Sequence, residues 1–187
     1  YRPVTRPLVE SDVIGPRSPY AASKRGAELA ADETAARTAL RVVTARAFPH
    51  TGPGQDERFV VPAFARRLQG AKRSGAKTVT VGNLDVTRDL LDVRDVAAAY
   101  AELLRKGVPG EVYNVASGTG VTLSEVFDRL ARQIGVKAAP VSDPSLLRPA
   151  DVPYLVGDAT KLRAATGWAP TIPLDHTIRD LVDAQAH

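Results

Sequence analysis

The chain has 187 residues, 44% hydrophobic and 25% charged, the balance of a globular protein and neither a disordered tail nor a membrane protein. With no cysteine, disulfide scaffolds, cysteine-ligated zinc and thiol catalysis are excluded, and three scattered histidines, His50, His176 and His187, form no metal-binding pair, so no metal is expected. The net charge of +4 arises from basic and acidic residues that alternate instead of forming blocks, which favours anionic small molecules over nucleic acid. No apolar run approaches the roughly 18 residues that span a bilayer, and the opening YRPVTRPLVESD lacks the apolar stretch of a secretory signal, so a cytoplasmic protein is expected. The absence of methionine reads as a fragment or a processed product.

Residues 1–19 are punctuated by Pro3, Pro7, Gly15, Pro16 and Pro19 and read as an irregular loop. Tyr20 to about Thr38 is alanine-rich at helical spacing, a small-residue face suited to close packing on a sheet. RVVTARAF, residues 41–48, reads as a buried strand, broken by PHTGPGQ. A helix is expected over 59–71, a short strand over 78–83, and a helix over 93–105 with Asp92 as its N-cap. GEVYNVAS supplies a further buried strand, and Thr122 with Glu125 forms the capping box of a helix reaching about Ile134. KAAPVSDPSLLRPADVP reads as a long ordered loop, followed by helices over 158–166 and 174–184. Switching between strand and helix periods marks an α/β protein.

The strongest chemical feature is SPYAASK, which sets Tyr20 and Lys24 four apart on one side of a helix. A free phenol titrates near pH 10, so it is a poor acid or base at neutral pH unless a nearby ammonium stabilises the phenolate. Lys24 is placed to do so, and a phenol so supported can protonate a carbonyl oxygen during reduction. On spacing alone the pair could equally be a chance meeting on a helix surface.

The surroundings point further. PRSPYAASK, ARAFPHTGPGQ, VGNLDVTRDLLDVRDVAAAY and GEVYNVASG, in that order, resemble the motifs of the extended short-chain dehydrogenase/reductase family, enzymes of nucleotide-sugar chemistry. HTGPGQ, FVVPAFARR, LLRPADVPYLVGDATKLRAATGWAP and IPLDHTIRDLVD look most like its GDP-6-deoxy-4-keto-mannose reductases, which form GDP-rhamnose with NADP or NAD. GDP-mannose 4,6-dehydratases and other nucleotide-sugar epimerases or dehydratases are the alternative.

The resemblance implies the C-terminal part of a Rossmann-like doubly wound sheet plus a small α/β substrate-binding domain. Residues 1–48 would be a remnant of the Rossmann domain. Residues 49–187 would be mainly substrate-binding, with about 88–116 returning to the Rossmann sheet. Tyr20 would be the proton donor, and Lys24 would support it and hydrogen-bond the nicotinamide ribose. Phe48, Pro49 and His50 would line the nicotinamide side of the cleft, although the family usually carries asparagine where Pro49 stands, so an amide contact is lost. Arg88 and Arg148 match the family's diphosphate-binding arginines, and Asp151 would orient Arg148 or meet a ribose hydroxyl. Asn83, Phe59 and Val60 would enclose the guanine. By residues alone the two arginines read as surface groups and Asn83 as a turn residue.

No Gly-rich turn of the GxxGxxG type occurs, so the half that grips the dinucleotide pyrophosphate is expected to be missing from this chain. The expected partners are a GDP-sugar substrate, that N-terminal half and a second copy in a homodimer, with neither nucleic acid nor membrane. A polypeptide of these 187 residues is expected not to turn over a nucleotide sugar alone. A non-catalytic nucleotide-sugar-binding module is a second function class. A basic nucleic-acid-binding protein has little support, since aromatic residues make up 5% of the chain and no basic stripe interleaves with them.

Overall fold

The computed structural model describes residues 1–146 and 152–185, so the expectations for Arg148 and Asp151 lie outside the described residues. After an irregular start, α1 spans Pro19–Arg37, β1 Thr44–Ala47, β2 His50–Thr51 and α2 Val60–Ser74. Next come β3 Thr78–Val81, β4 Thr87–Asp89, β5 Leu91–Asp92, α3 Val93–Lys106, β6 Val112–Val115 and β7 Gly120–Thr122. The chain continues through α4 Leu123–Ile134, β8 Ala139–Ser142, a 3-10 turn Pro144–Leu146, β9 Tyr154–Leu155, α5 Thr160–Thr166 and α6 Leu174–Ala184. No helix among the described residues is long and apolar enough to cross a membrane.

Local chemistry sets the helix ends. Ser18 Oγ accepts the Ala21 N–H at 3.1 Å, with Pro19 at the first helical position of α1. Thr122 and Glu125 form the expected reciprocal box at the start of α4, which closes at Gly135 with φ 72°. Asp92 caps α3 by accepting the Arg94 N–H at 2.8 Å.

The strands pair as small, mostly parallel sets. β1 runs parallel to β6 with Thr44 opposite Val112, β2 parallel to β5, and β3 parallel to β8 with Thr78 opposite Ala139. β4 lies between β7, antiparallel, and β9, parallel. Parallel partners far apart in sequence confirm the α/β class.

Two apolar cores result. One packs α2, α4 and α6 against β3 around Phe64, Leu68, Phe127, Leu130, Ile178 and Leu181, with Phe64 and Phe127 edge to face at 5.6 Å. The other joins β1, β6, α3 and α5 around Phe48, Val96, Leu103, Val115, Leu162 and Trp168. Asp92 bridges them, because its buried carboxylate caps α3 and also accepts the Thr177 hydroxyl of α6 at 2.8 Å.

Three expectations change. The strand over 41–48 shortens to Thr44–Ala47 and is half-buried at best, since among the described residues it pairs along one edge only. The segment expected as a loop contributes β8: all four of its residues are exposed, so no apolar alternation marks it, and Pro140 is tolerated because the strand lies at an edge. The small-residue face of α1 buries no residue. A 19-residue helix is about 28 Å long, and a two-stranded patch is only about 5 Å between strands, too narrow to cover it.

Burial alone would raise the Asp92 pKa, but bonds from Arg94 and Thr177 outweigh burial and hold the carboxyl below the usual carboxylate range. Its stabilisation is therefore complete above the unfolded-state value of about 4 and disappears as pH falls through the lower folded-state value. Asp92→Asn should cost about 1–3 kcal/mol in urea unfolding at pH 7, with the gap to wild type narrowing toward pH 2. A gap that does not change with pH would contradict this account.

Candidate active site

The site is built on the carboxyl end of β1. Arg46 of β1 donates from Nε and Nη2 to the two Glu28 carboxylate oxygens of α1, both at 2.9 Å, a two-point fork in a largely buried setting. Tyr20 lies eight residues before Glu28, about 12 Å along the helix. His50 lies four residues after Arg46, about 13 Å along the extended chain. Helix and strand meet at this fork, and among the described residues no hydrogen bond, ion pair or ring contact joins Tyr20 or Lys24 to the Phe48–Pro49–His50 segment.

Tyr20 is 72% exposed, and the Lys24 ammonium sits 5.5 Å from its ring centroid. Phe48 is buried, its N–H donating to Val115 O at 2.9 Å, and the carbonyl of Pro49 accepts the Leu91 N–H at 3.1 Å. His50 Nδ1 lies 3.0 Å from Phe48 O. Two cavities, of about 370 and 550 Å³, lie elsewhere: the first borders Leu91, Ser117 and Ile172, the second Gln55, Arg58 and Gln185.

A second group of expected residues gathers about β4. Arg88 donates from Nη1 to Val152 O at 2.7 Å and to Thr87 O at 2.8 Å. A side-chain carbon added to Gly82 would meet Leu146 O at 2.9 Å, so the turn carrying Asn83 is pressed against Leu146. The two flanks of residues 147–151 are therefore held at the Gly82–Asn83 turn and at Arg88. Asn83 itself is exposed, and its Oδ1 accepts the Asp85 N–H at 2.9 Å in an Asx turn. Phe59, at the start of α2, is 54% exposed, while Val60 packs on the first core.

Sequence reasoning missed the groups that hold this region together. Asp89, fully buried, accepts the Ser117 N–H and hydroxyl at 2.9 and 2.6 Å, the Gly118 N–H at 3.0 Å and the Gly157 N–H at 3.2 Å. Gly157 lies directly against Phe48, where a side-chain carbon would come within 2.6 Å of the ring. Asn114 receives the Tyr1 hydroxyl at 2.6 Å and donates to Leu8 O at 2.9 Å. An aspartate directly before the apolar pair Leu90–Leu91 was the one available signal for such a hub.

Comparison with known proteins follows from this geometry. A family profile described as GDP-mannose 4,6 dehydratase matches residues 2–181. The chain belongs to that family. It is 38% identical to GDP-6-deoxy-D-mannose reductase of Pseudomonas aeruginosa over 94% of its own length and 58% of the relative's. It is 31% identical to GDP-mannose 4,6 dehydratase 2 of Arabidopsis thaliana, over 95% of this chain and 48% of the relative. Among solved structures, RMD from Pseudomonas aeruginosa complexed with NADPH superposes with a TM-score of 0.88 at 37% identity, covering 95% of this chain and 59% of that one. UDP-glucose 4-epimerase of Thermotoga maritima with UDP-glucose gives 0.89 at 27% identity, covering 98% and 58%. The chain thus has the Rossmann-type architecture of these nucleotide-sugar enzymes, and spans between 48% and 59% of the length of these relatives.

No residue of α1 is fully buried, and the Glu28–Arg46 fork supplements the partly buried face of Ala21, Ala31 and Ala35 in holding it. Glu28→Gln should speed hydrogen exchange of the backbone amides of residues 19–37 by roughly tenfold while leaving α4 unchanged. Equal protection of α1 in both proteins would show that it is held otherwise.

Proposed function

We propose that this chain supplies the proton-donating and nucleotide-binding side of an NAD(P)H-dependent oxidoreductase that converts the 4-keto group of GDP-4-keto-6-deoxymannose into the hydroxyl of GDP-rhamnose. The observation that carries the reading is the Tyr20–Lys24 pair, an ammonium 5.5 Å from the ring centroid of an exposed phenol. The 38% identity to a GDP-6-deoxy-D-mannose reductase supports this substrate class.

The residues fit a nicotinamide cofactor. The Tyr20 hydroxyl and the Lys24 ammonium make no hydrogen bond or ion pair to other described residues, and both side chains are exposed, leaving a phenol and an ammonium to meet ribose hydroxyls. Pro49 offers no side-chain donor, so polar contact there falls to neighbouring groups. Bound, such a cofactor supplies a hydride. Tyr20 Oη donates the proton that the carbonyl oxygen takes up as it becomes a hydroxyl, and the Lys24 ammonium stabilises the phenolate left behind. Phe48 and His50 border that side of the cleft. Arg88, with Arg148 and Asp151, serves the diphosphate end, and Phe59, Val60 and Asn83 the base. The small-residue, exposed surface of α1 supports docking of an N-terminal half and of a second copy. The dehydratase reading is favoured by the family profile and is separated by product analysis with GDP-mannose.

In the full-length protein, Tyr20→Phe should lower kcat for keto-sugar reduction by about 10²–10⁴-fold with little change in KM. Arg88→Ala should raise KM for the GDP-sugar by roughly tenfold or more. Binding of GDP without any turnover would favour a non-catalytic module, and an undiminished rate in Tyr20→Phe would refute the role of the phenol.

A further inference from the structure

Tyr20, Lys24 and Glu28 follow one another at intervals of four along α1, so the Lys24 ammonium has the Tyr20 ring on one side and a carboxylate within helical reach on the other. A lysine and a glutamate at this spacing ordinarily attract one another. Here they do not pair: the ammonium lies over the Tyr20 ring at 5.5 Å, and Glu28 is turned away and fully engaged. Glu28 Oε1 accepts from Arg46 Nε, while Oε2 accepts from Arg46 Nη2 at 2.9 Å and from Arg25 Nη1 at 2.6 Å.

Arg46 is itself fixed from behind. Its Nη1 donates to the Tyr1 hydroxyl at 3.0 Å and to Glu10 O at 3.2 Å, and its guanidinium lies 5.1 Å from the Tyr1 ring centroid. The side chains of Arg46 and Glu28 are only 14% and 19% exposed. The hydrogen bonds from Arg46 lead in holding the Glu28 carboxyl below the usual carboxylate range, so it stays charged and stays with the guanidinium. The titratable and charged groups around this node are Arg25 within α1, Arg46 on β1, and Tyr1 and Glu10 of the opening segment.

We propose that Arg46 is a positioning residue that sequesters Glu28 and thereby reserves the Lys24 ammonium for Tyr20. Remove the guanidinium, and Glu28 keeps only its Oε2 bond from Arg25, so Oε1 is released to turn toward Lys24 at its own helical spacing. The cation that favours the Tyr20 phenolate is then neutralised by a carboxylate one turn away. Arg46 touches neither Tyr20 nor Lys24 and acts through Glu28 alone. The link to catalysis rests on the reading of Tyr20 as proton donor, whereas the electrostatic effect does not.

The test is a tyrosinate absorbance titration of the full-length protein, with Tyr20→Phe subtracted to isolate the Tyr20 phenol. In Arg46→Met the Tyr20 ionisation should move to higher pH by about half a unit or more. In the double variant Arg46→Met/Glu28→Gln it should return to the wild-type position. Glu28→Gln alone, which loses the same fork but frees no carboxylate, should not move upward, and the milder Arg46→Lys should shift less than Arg46→Met. The pH limb of kcat should follow the same order. A double variant that stays shifted, or Arg46→Met and Arg46→Lys that both titrate as wild type, would overturn the proposal. An undiminished rate in Tyr20→Phe would instead sink the reading of the phenol as proton donor while leaving the titration order intact.

Discussion

Much of this structure depends on one buried carboxylate. Asp89 sits at the end of β4 with no exposed surface, and its two oxygens gather donors from the loop after β6 and from Gly157 beyond β9. A carboxyl group can be buried only where several partners meet it, and here three backbone N–H groups and a hydroxyl do so. The arrangement fixes Gly157 against the Phe48 ring, two residues before His50. Strands from distant parts of the chain, too short to define a sheet alone, are registered against one another through this acceptor.

Two further aspartates extend the pattern. Asp92 ties α3 to α6, and Asp95 accepts from the Thr171 N–H and hydroxyl and the Ile172 N–H, while its backbone carbonyl receives the Trp168 indole at 3.1 Å. Asp89, Asp92 and Asp95 are spaced by three along the chain, and each reaches a different segment. The RDLLDVRD stretch is thus a polar spine through the junction of the two cores. Its charge is spent on internal donors, whereas Tyr20 and Lys24 keep their polar heads for solvent.

What was legible in the sequence was what local chemistry dictates. The capping box at Thr122 and Glu125, the cap at Asp92 and the apolar spacing of α2 and α4 led to helices within a few residues of those observed. The two- and three-residue strands β2, β4, β5, β7 and β9 escaped because no period can be read over so few positions. β8 escaped because all its residues face solvent and its partner, β3, lies about sixty residues earlier. The spacing of Tyr20 and Lys24 was visible, but the fork between Glu28 and Arg46 that orients their helix joins residues 18 apart and needed the fold. Asn83 was read with a turn role beside its proposed base contact, and in the fold its side chain closes an Asx turn.

The short contact between His50 Nδ1 and the carbonyl of Phe48 carries a meaning beyond geometry. A carbonyl oxygen can only accept, so the proton of the neutral ring resides on Nδ1 and the other nitrogen, Nε2, is left with a lone pair. The imidazole therefore presents an acceptor to whatever approaches it. A sugar hydroxyl can satisfy that lone pair by donating, whereas a keto oxygen at the same place would face electron density with none of its own hydrogens to offer. In its neutral form His50 therefore offers an acceptor, and not a donor, beyond β1.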